Sequence, residues 1–323
     1  MTINVEDDLT IVCASHNGAK RIPLFLDSIQ RNSVRPKEVI ICGTHESDIS
    51  SVSDELLNNN NVSFIVSEFA NQIYQRNLAL SKVNTTFILQ LDDDLILDTN
   101  VIANYCHHFS GPESNKKVVC GYPVLPNGQH MSFDRVKNLY QSSRFVRLFF
   151  KIMNGFKELK NMSILKSGRI FPLVLDGQKN IEPEWLSSCL MFHKDAMGAK
   201  SIIYSENNNT GKGYYEDVFF TLSLREKGFK LILDENIRMT HPYTSSIKPR
   251  DYLNTIDRQK KLLDDPNLTT KNRFSLEKQA LIQLDEKVQR PVPPYKQTNN
   301  SREDFKESRN YTPLNAWNNN ISR

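Results

Sequence analysis

The sequence predicts an α/β protein: a doubly wound, mostly parallel sheet with flanking helices, then C-terminal helices and a polar tail. Three observations carry this. Short apolar runs alternate with amphipathic segments over about the first hundred residues, the rhythm of βαβ units with right-handed crossovers. The runs are continuously apolar, as in strands buried on both faces. The polar loops that follow three of them would open on one sheet edge, where such sheets bind ligands.

The elements follow in order. Leu9-Thr10-Ile11-Val12-Cys13-Ala14 is the first strand, followed by the polar turn Ser15-His16-Asn17-Gly18. Ile22, Leu24, Phe25, Leu26 and Ile29 mark an amphipathic helix. Val39-Ile40-Ile41-Cys42 is the second strand, ending at Gly43, and Val62-Ser63-Phe64-Ile65-Val66 the third. Residues 71–81 read as a helix with Ile73, Leu78 and Leu80 apolar. Phe87-Ile88-Leu89-Gln90-Leu91 is a fourth strand that runs into Asp92-Asp93-Asp94. Further on, 135–160 reads as a helix, 185–192 as an apolar run, 214–227 as a helix and 229–233 as a strand. The expected organisation is an α/β domain over 1–248 with an insertion at about 128–178. A helical extension over 249–290 (helices at 252–263 and 274–287) and a polar, disordered tail over 291–323 follow it.

Composition removes several classes. With 323 residues, 39% of them hydrophobic and 24% charged, the chain can build a core, and wholesale disorder is excluded. A net charge of +4 is too small to announce a nucleic-acid binder, and none is expected. No run of about 18 apolar residues occurs, so no spanning helix is expected. The acidic start, MTINVEDDLT, has no basic region leading into an apolar core, so no secretory signal is expected. The five cysteines at 13, 42, 106, 120 and 189 are odd in number and lack CxxC spacing. They read as buried thiols of a reducing compartment. The expected location is the cytoplasm, with a peripheral position on the inner face of a membrane as a further expectation.

Three clusters carry chemistry. Three adjacent carboxylates at the end of a buried strand are costly unless a cation or donors meet them. A divalent ion such as Mg²⁺ or Mn²⁺ would answer that cost, sharing one or two carboxylates with substrate phosphate oxygens. A solvated acidic turn is the plain alternative. Glu216 and Asp217 open a predicted helix, where the macrodipole favours anions, so they could be helix-terminal acids and nothing more. His241 follows the last predicted strand, which could bring it to the edge that holds the aspartates.

Taken together, these segments resemble the inverting glycosyltransferases of family 2, which have the GT-A fold, over roughly residues 9–245. The resemblance rests on TIVCASHNGAKRIPLFLDSIQ, PKEVIICGTHESD, QRNLAL, FILQLDDDLIL, EPEWLSSCLMFHKDAM and GYYEDVFFTLSLREKGFKLILDENIRMTHPY, in that order. It implies that Asp92 and Asp94 form a DxD pair, Asp92 toward the ribose and Asp94 on the metal, with Asp93 able to replace either. His241 would be a further metal or diphosphate contact. Asp217 would be the general base and Glu216 an acceptor contact beside it. Ala14, Ser15, His16 and Asn17 would lie along the nucleotide, Arg76 near its phosphates or base, and Trp185 on the acceptor side. The implied cofactor is Mn²⁺ or Mg²⁺, the donor a UDP- or dTDP-type nucleotide sugar, the acceptor a glycan or lipid-linked hydroxyl. The chain departs from the pattern after the second strand. Gly43-Thr44-His45 stands where the family places an Asp pair, so Glu46 or Asp48 is left to replace the acid that holds the base. Two other functions stay open: a sugar-phosphate nucleotidyltransferase, and a non-catalytic glycan-binding protein on the same fold.

The charge is uneven. Residues 134–169 hold nine basic residues and only Asp134 and Glu158 as acids, an excess larger than that of the whole chain. Phe145, Leu148, Phe149, Ile152, Phe156 and Leu159 share one helical face, and Arg144, Arg147 and Lys151 another. An anionic membrane surface is one expected partner of this segment. Packing of the apolar face onto its own domain is the alternative.

Overall fold

The structure is a computed structural model. It describes residues 5–242, apart from 112, 127–139, 141, 154–155, 157–161, 165–169, 172–181 and 201–215. The chain divides after Pro242, and all described residues belong to the first unit. The expected helices at 252–263 and 274–287 and the expected tail lie outside them.

The strands are β1 (Leu9–Ala14), β2 (Glu38–Gly43), β3 (Val62–Val66), β4 (Phe87–Asp92), β5 (Ile96–Leu97), β6 (Lys117–Val124), β7 (Ser163–Ile164), β8 (Ile170–Phe171), β9 (Leu190–His193) and β10 (Lys230–Thr240). Eight form one sheet in the order β3-β2-β1-β4-β9-β6-β10-β5, and β7 and β8 form a separate ribbon. The first four in sheet order are mutually parallel, as expected. The far half is mixed: β9 runs antiparallel to both β4 and β6, and β5 runs antiparallel to β10.

The helices are α1 (Ile22–Gln30), α2 (Asp54–Asn59), α3 (Gln72–Leu80), α4 (Val101–His107), α5 (Arg144–Met153) and α6 (Glu216–Glu226). Three starts have a local cause. Pro23 lies in the first turn of α1, where its missing N–H costs nothing. Asn71 caps α3 by accepting from the amides of Ile73 and Tyr74. Glu216 and Asp217 occupy the first turn of α6.

Alternate residues of the central strands enter different cores, because side chains alternate across a strand. Leu9, Ile11 and Cys13 of β1 join Phe25, Leu26 and Ile29 of α1 and Val101, Ile102 and Tyr105 of α4. Val12 joins Ile73 and Leu80 of α3 with Phe220 and Leu224 of α6. Both faces of the sheet are therefore covered, which explains the unbroken apolar runs. All five cysteines are buried and free.

Two expectations change in detail. Of the apolar run 185–192, only its end, from Leu190, is strand, and Ser188 just before it turns its hydroxyl to the site described below. The last strand extends to Thr240, well beyond 233, with a register irregularity between Leu233 and Arg238.

Candidate active site at the strand ends

The register of the sheet assembles the site. Ala14 lies opposite both Cys42 and Asp92, so the loops after β1, β2 and β4 leave the sheet at one level. Hydrogen bonds then join them. Ser15 donates its amide to the Cys42 carbonyl. Gln75 of α3 donates its side-chain amide to the carbonyls of Ser15 and Cys42.

The second loop is held to the first by Asp48. Its carboxylate accepts the amides of Gly18 (3.0 Å), Thr44 (3.0 Å) and His45 (3.2 Å). Asp48 is buried, whereas Glu46 on the same turn is exposed. The oxygens of Asp48 are thus committed to backbone donors within the two loops. His16 meets the Thr44 hydroxyl at 3.1 Å. Asn17 adopts φ 55°, a left-handed conformation that asparagine tolerates.

The three consecutive aspartates take three different partners, which resolves the cost of placing them together. Asp92 accepts from Arg76 Nη2 at 2.6 Å and from the Ser188 hydroxyl at 2.8 Å. Asp93 is buried and accepts from Ser15 Oγ and from Arg21 Nε and Nη2 at 3.1 and 2.8 Å. Burial raises the Asp93 carboxyl above its ordinary pKa despite Arg21 and Ser15. Asp94 pairs with His241 Nε2 at 3.0 Å. Burial would raise Asp94, but the hydrogen bond and charge of His241, helped by Arg21, hold it below the ordinary carboxylate value.

Topology explains the last contact. β5 follows the aspartates directly and pairs back onto β10, with Ile96 opposite Thr240. His241, one residue further, donates its amide to the Val124 carbonyl and is thereby fixed beside Asp94.

Arg76 is fully buried. Its other terminal nitrogen, Nη1, donates to Glu216 Oε1 at 2.9 Å, so one guanidinium joins β4 to the start of α6. Asp217 is half-buried and accepts from the Val218 amide at 2.9 Å. Burial and then the neighbouring Glu216 charge push its carboxyl well above the usual range, outweighing the opposing charge of Arg76. A carboxyl of raised pKa is better matched to proton abstraction near neutral pH than an ordinary one.

Trp185, expected on the acceptor side, is buried, and its indole N–H donates to the Ser163 carbonyl of β7. It anchors the small ribbon. Ser188 comes from the same segment, just before β9, whose antiparallel pairing with β4 sets Leu190 opposite Gln90 and so carries Ser188 to Asp92.

Among the described residues, no group of three or more His, Cys, Asp and Glu side chains converges as a metal cage. The donor set nevertheless suits a divalent ion with substrate ligands. Asp92 and Asp93 are each neutralised by a guanidinium, whereas Asp94 faces an imidazole that can itself ligate. A carboxylate and an imidazole leave the remaining coordination positions to phosphate oxygens and water.

Of the residues named from the sequence, the structure gathers the aspartates, Arg76, Glu216 and His241 at one edge of the sheet, with Asp217 beside Glu216. It missed the roles of Arg21, Gln75 and Ser188. All three lie inside the quoted segments, but their partners are distant in sequence and no local pattern marks them.

No family model matches the chain, and no curated protein matches it. Among solved structures it is similar to S. aureus TarS 1–349, at 15% identity and a TM-score of 0.51, covering 86% of this chain and 78% of that one. The same fragment in complex with UDP gives 14% identity and a TM-score of 0.51, over 79% of this chain and 64% of that one. Its complex with UDP-GlcNAc gives 14% and 0.51, over 79% and 66%. The chain spans only 39% of the longer TarS chain. The likeness is one of architecture, and the described unit has the GT-A fold of glycosyltransferases.

Proposed function

We propose that the protein is a metal-dependent, inverting glycosyltransferase of the family-2 type. It moves a sugar from a nucleotide-sugar donor to a hydroxyl of a glycan or lipid-linked acceptor. The observation that carries this reading is the arrangement around Arg76, which holds Asp92 of the aspartate cluster and Glu216, neighbour of the raised-pKa Asp217, on one buried guanidinium. A donor-binding group and an acceptor contact, the latter next to the candidate base, are thus set on either side of a fixed cation.

In this reading Ala14, Ser15, His16 and Asn17 line the nucleotide, and Asp92 faces the ribose. Asp94 and His241 hold Mn²⁺ or Mg²⁺, which when bound supplies positive charge to the departing diphosphate. Arg76 positions Asp92 and Glu216, since both its partners are carboxylates of the site. Glu216 orients the acceptor, and Asp217 removes the proton of the attacking hydroxyl, whose in-line approach inverts the anomeric centre. The TarS fragment that shares the fold is solved with UDP and with UDP-GlcNAc, which supports a UDP-type donor here.

The test is a screen of nucleotide sugars with Mn²⁺ or Mg²⁺, reading hydrolysis and transfer. Wild type should turn over one donor. Asp94→Ala should weaken metal-dependent donor binding, and Asp217→Asn should bind donor yet fail to transfer. Full transfer by Asp217→Asn would remove the base assignment, and no turnover of any donor would favour a non-catalytic glycan binder.

A further inference from the structure

Helix α5 reads RFVRLFFKIM and contains no acidic residue. Four of its apolar side chains, at 145, 148, 149 and 152, are exposed. Phe145 is 86% exposed and Phe149 58%; Leu148, Ile152 and, beyond the helix end, Phe156 are also exposed. Among its described side chains, Val146 and Phe150 are half-buried. Phe150 turns toward Tyr140, with ring centroids 5.8 Å apart.

At 3.6 residues per turn, Phe145, Leu148, Phe149 and Ile152 occupy an arc about 100° wide. Arg144, Arg147 and Lys151, all exposed, lie beside that arc, on the side away from Val146 and Phe150. The helix therefore presents three sectors: one toward the protein, one apolar and aromatic, one cationic. The expectation that its apolar face packs onto its own domain is not met by these residues.

We infer that α5 docks the protein on a bilayer surface carrying anionic headgroups. The charge pattern selects this occupant. An apolar sector alone would suit a protein groove equally well. Three cations without an acid, bordering a sector of aromatic and aliphatic side chains, match the layered chemistry of an interface, with acyl chains below and phosphates alongside. No helix of the described residues is long and apolar enough to cross a membrane; the docking inferred is that of a helix lying in the surface. It does not depend on the proposed transfer reaction, because docking needs neither donor nor metal.

The experiment is co-sedimentation of the full chain with vesicles of phosphatidylcholine alone or mixed with phosphatidylserine, without nucleotide. Wild type should bind the mixed vesicles, and binding should weaken as salt rises. Arg144→Glu/Arg147→Glu should weaken it by about tenfold or more, at about 1 kcal/mol per cation. Phe145→Ser/Phe149→Ser should do so by a comparable factor through lost apolar burial. The altered side chains are exposed, so both variants should keep the wild-type melting temperature. Equal binding by wild type and both variants overturns the proposal. So does a wild type that ignores mixed vesicles but forms a dimer in solution that Phe145→Ser/Phe149→Ser dissociates. Loss of transfer activity in the donor screen would leave this result untouched.

Discussion

Arg76 Nη1 stands 2.9 Å from Glu216 Oε1, although 140 residues separate them. The same guanidinium reaches Asp92 at 2.6 Å from a fully buried position on α3. An arginine buried there without carboxylates would be untenable, and two carboxylates gathered there without it would repel each other. Each half of the arrangement requires the other.

Arg76→Met should therefore destabilise the protein by about 3–5 kcal/mol, because it leaves Asp92 and Glu216 without their shared cation. Arg76→Lys should recover part of the loss, since an ammonium retains the charge but lacks the planar fork that reaches two partners. Urea unfolding of the three proteins measures both effects.

In the proposed reaction Asp217 governs the pH dependence. Its pKa is raised, and a general base must be deprotonated. Transfer should therefore fall as pH drops through that raised value, at higher pH than an ordinary carboxylate would allow. Stability has the opposite sign. The folded state holds this proton more tightly than the unfolded chain, so the contribution is present at low pH and is lost as pH rises through the folded pKa. Asp217→Asn should abolish transfer while matching or exceeding wild-type stability at neutral pH, as read by paired activity and melting profiles.

Asp48→Ala should cost about 2–3 kcal/mol, because it strands the buried amides of Gly18 and Thr44 at once. It should also loosen the first two loops together. Hydrogen exchange at the Gly18, Thr44 and His45 amides should accelerate in the variant. Unchanged exchange at Gly18 would show that Asp48 does not link the loops.

Gly18 is a place of close approach. An added Cβ would come within 2.0 Å of Ser15 Oγ, 2.8 Å of Ile22 Cδ1 and 3.0 Å of Asp93 Oδ2. Gly18→Ala should displace Ser15 from Asp93 and cost about 1–3 kcal/mol. Calorimetric titration should show weaker nucleotide binding, since Ser15 is assigned to the nucleotide side.

The parallel half of the sheet was legible in the sequence because a strand covered on both faces must be apolar throughout. β1, β2 and β4 follow that rule, whereas β3, at the sheet edge, is half-buried to exposed. The aspartate cluster was legible too, because three acids adjoining an apolar strand need an explanation. The mixed half was not. β5 is two residues long, too short for any periodicity, yet its pairing with β10 is what sets His241 beside Asp94.

By itself, then, the sequence determined the elements whose cause is local: apolar strands, a capped α3, acids in the first turn of α6, and the basic, aromatic character of α5. Tertiary structure alone decided the partnerships. It assigned Asp92 to Arg76 and Ser188, Asp93 to Arg21 and Ser15, and Asp94 to His241. It spent Asp48 on loop amides, buried Trp185, and left the apolar face of α5 exposed. The physical reason is one of range. Propensity and amphipathicity act over a few residues and are written in adjacent letters. Ion pairs and burial are settled by chain crossings that bring distant residues together, and those exist only once the sheet order is set.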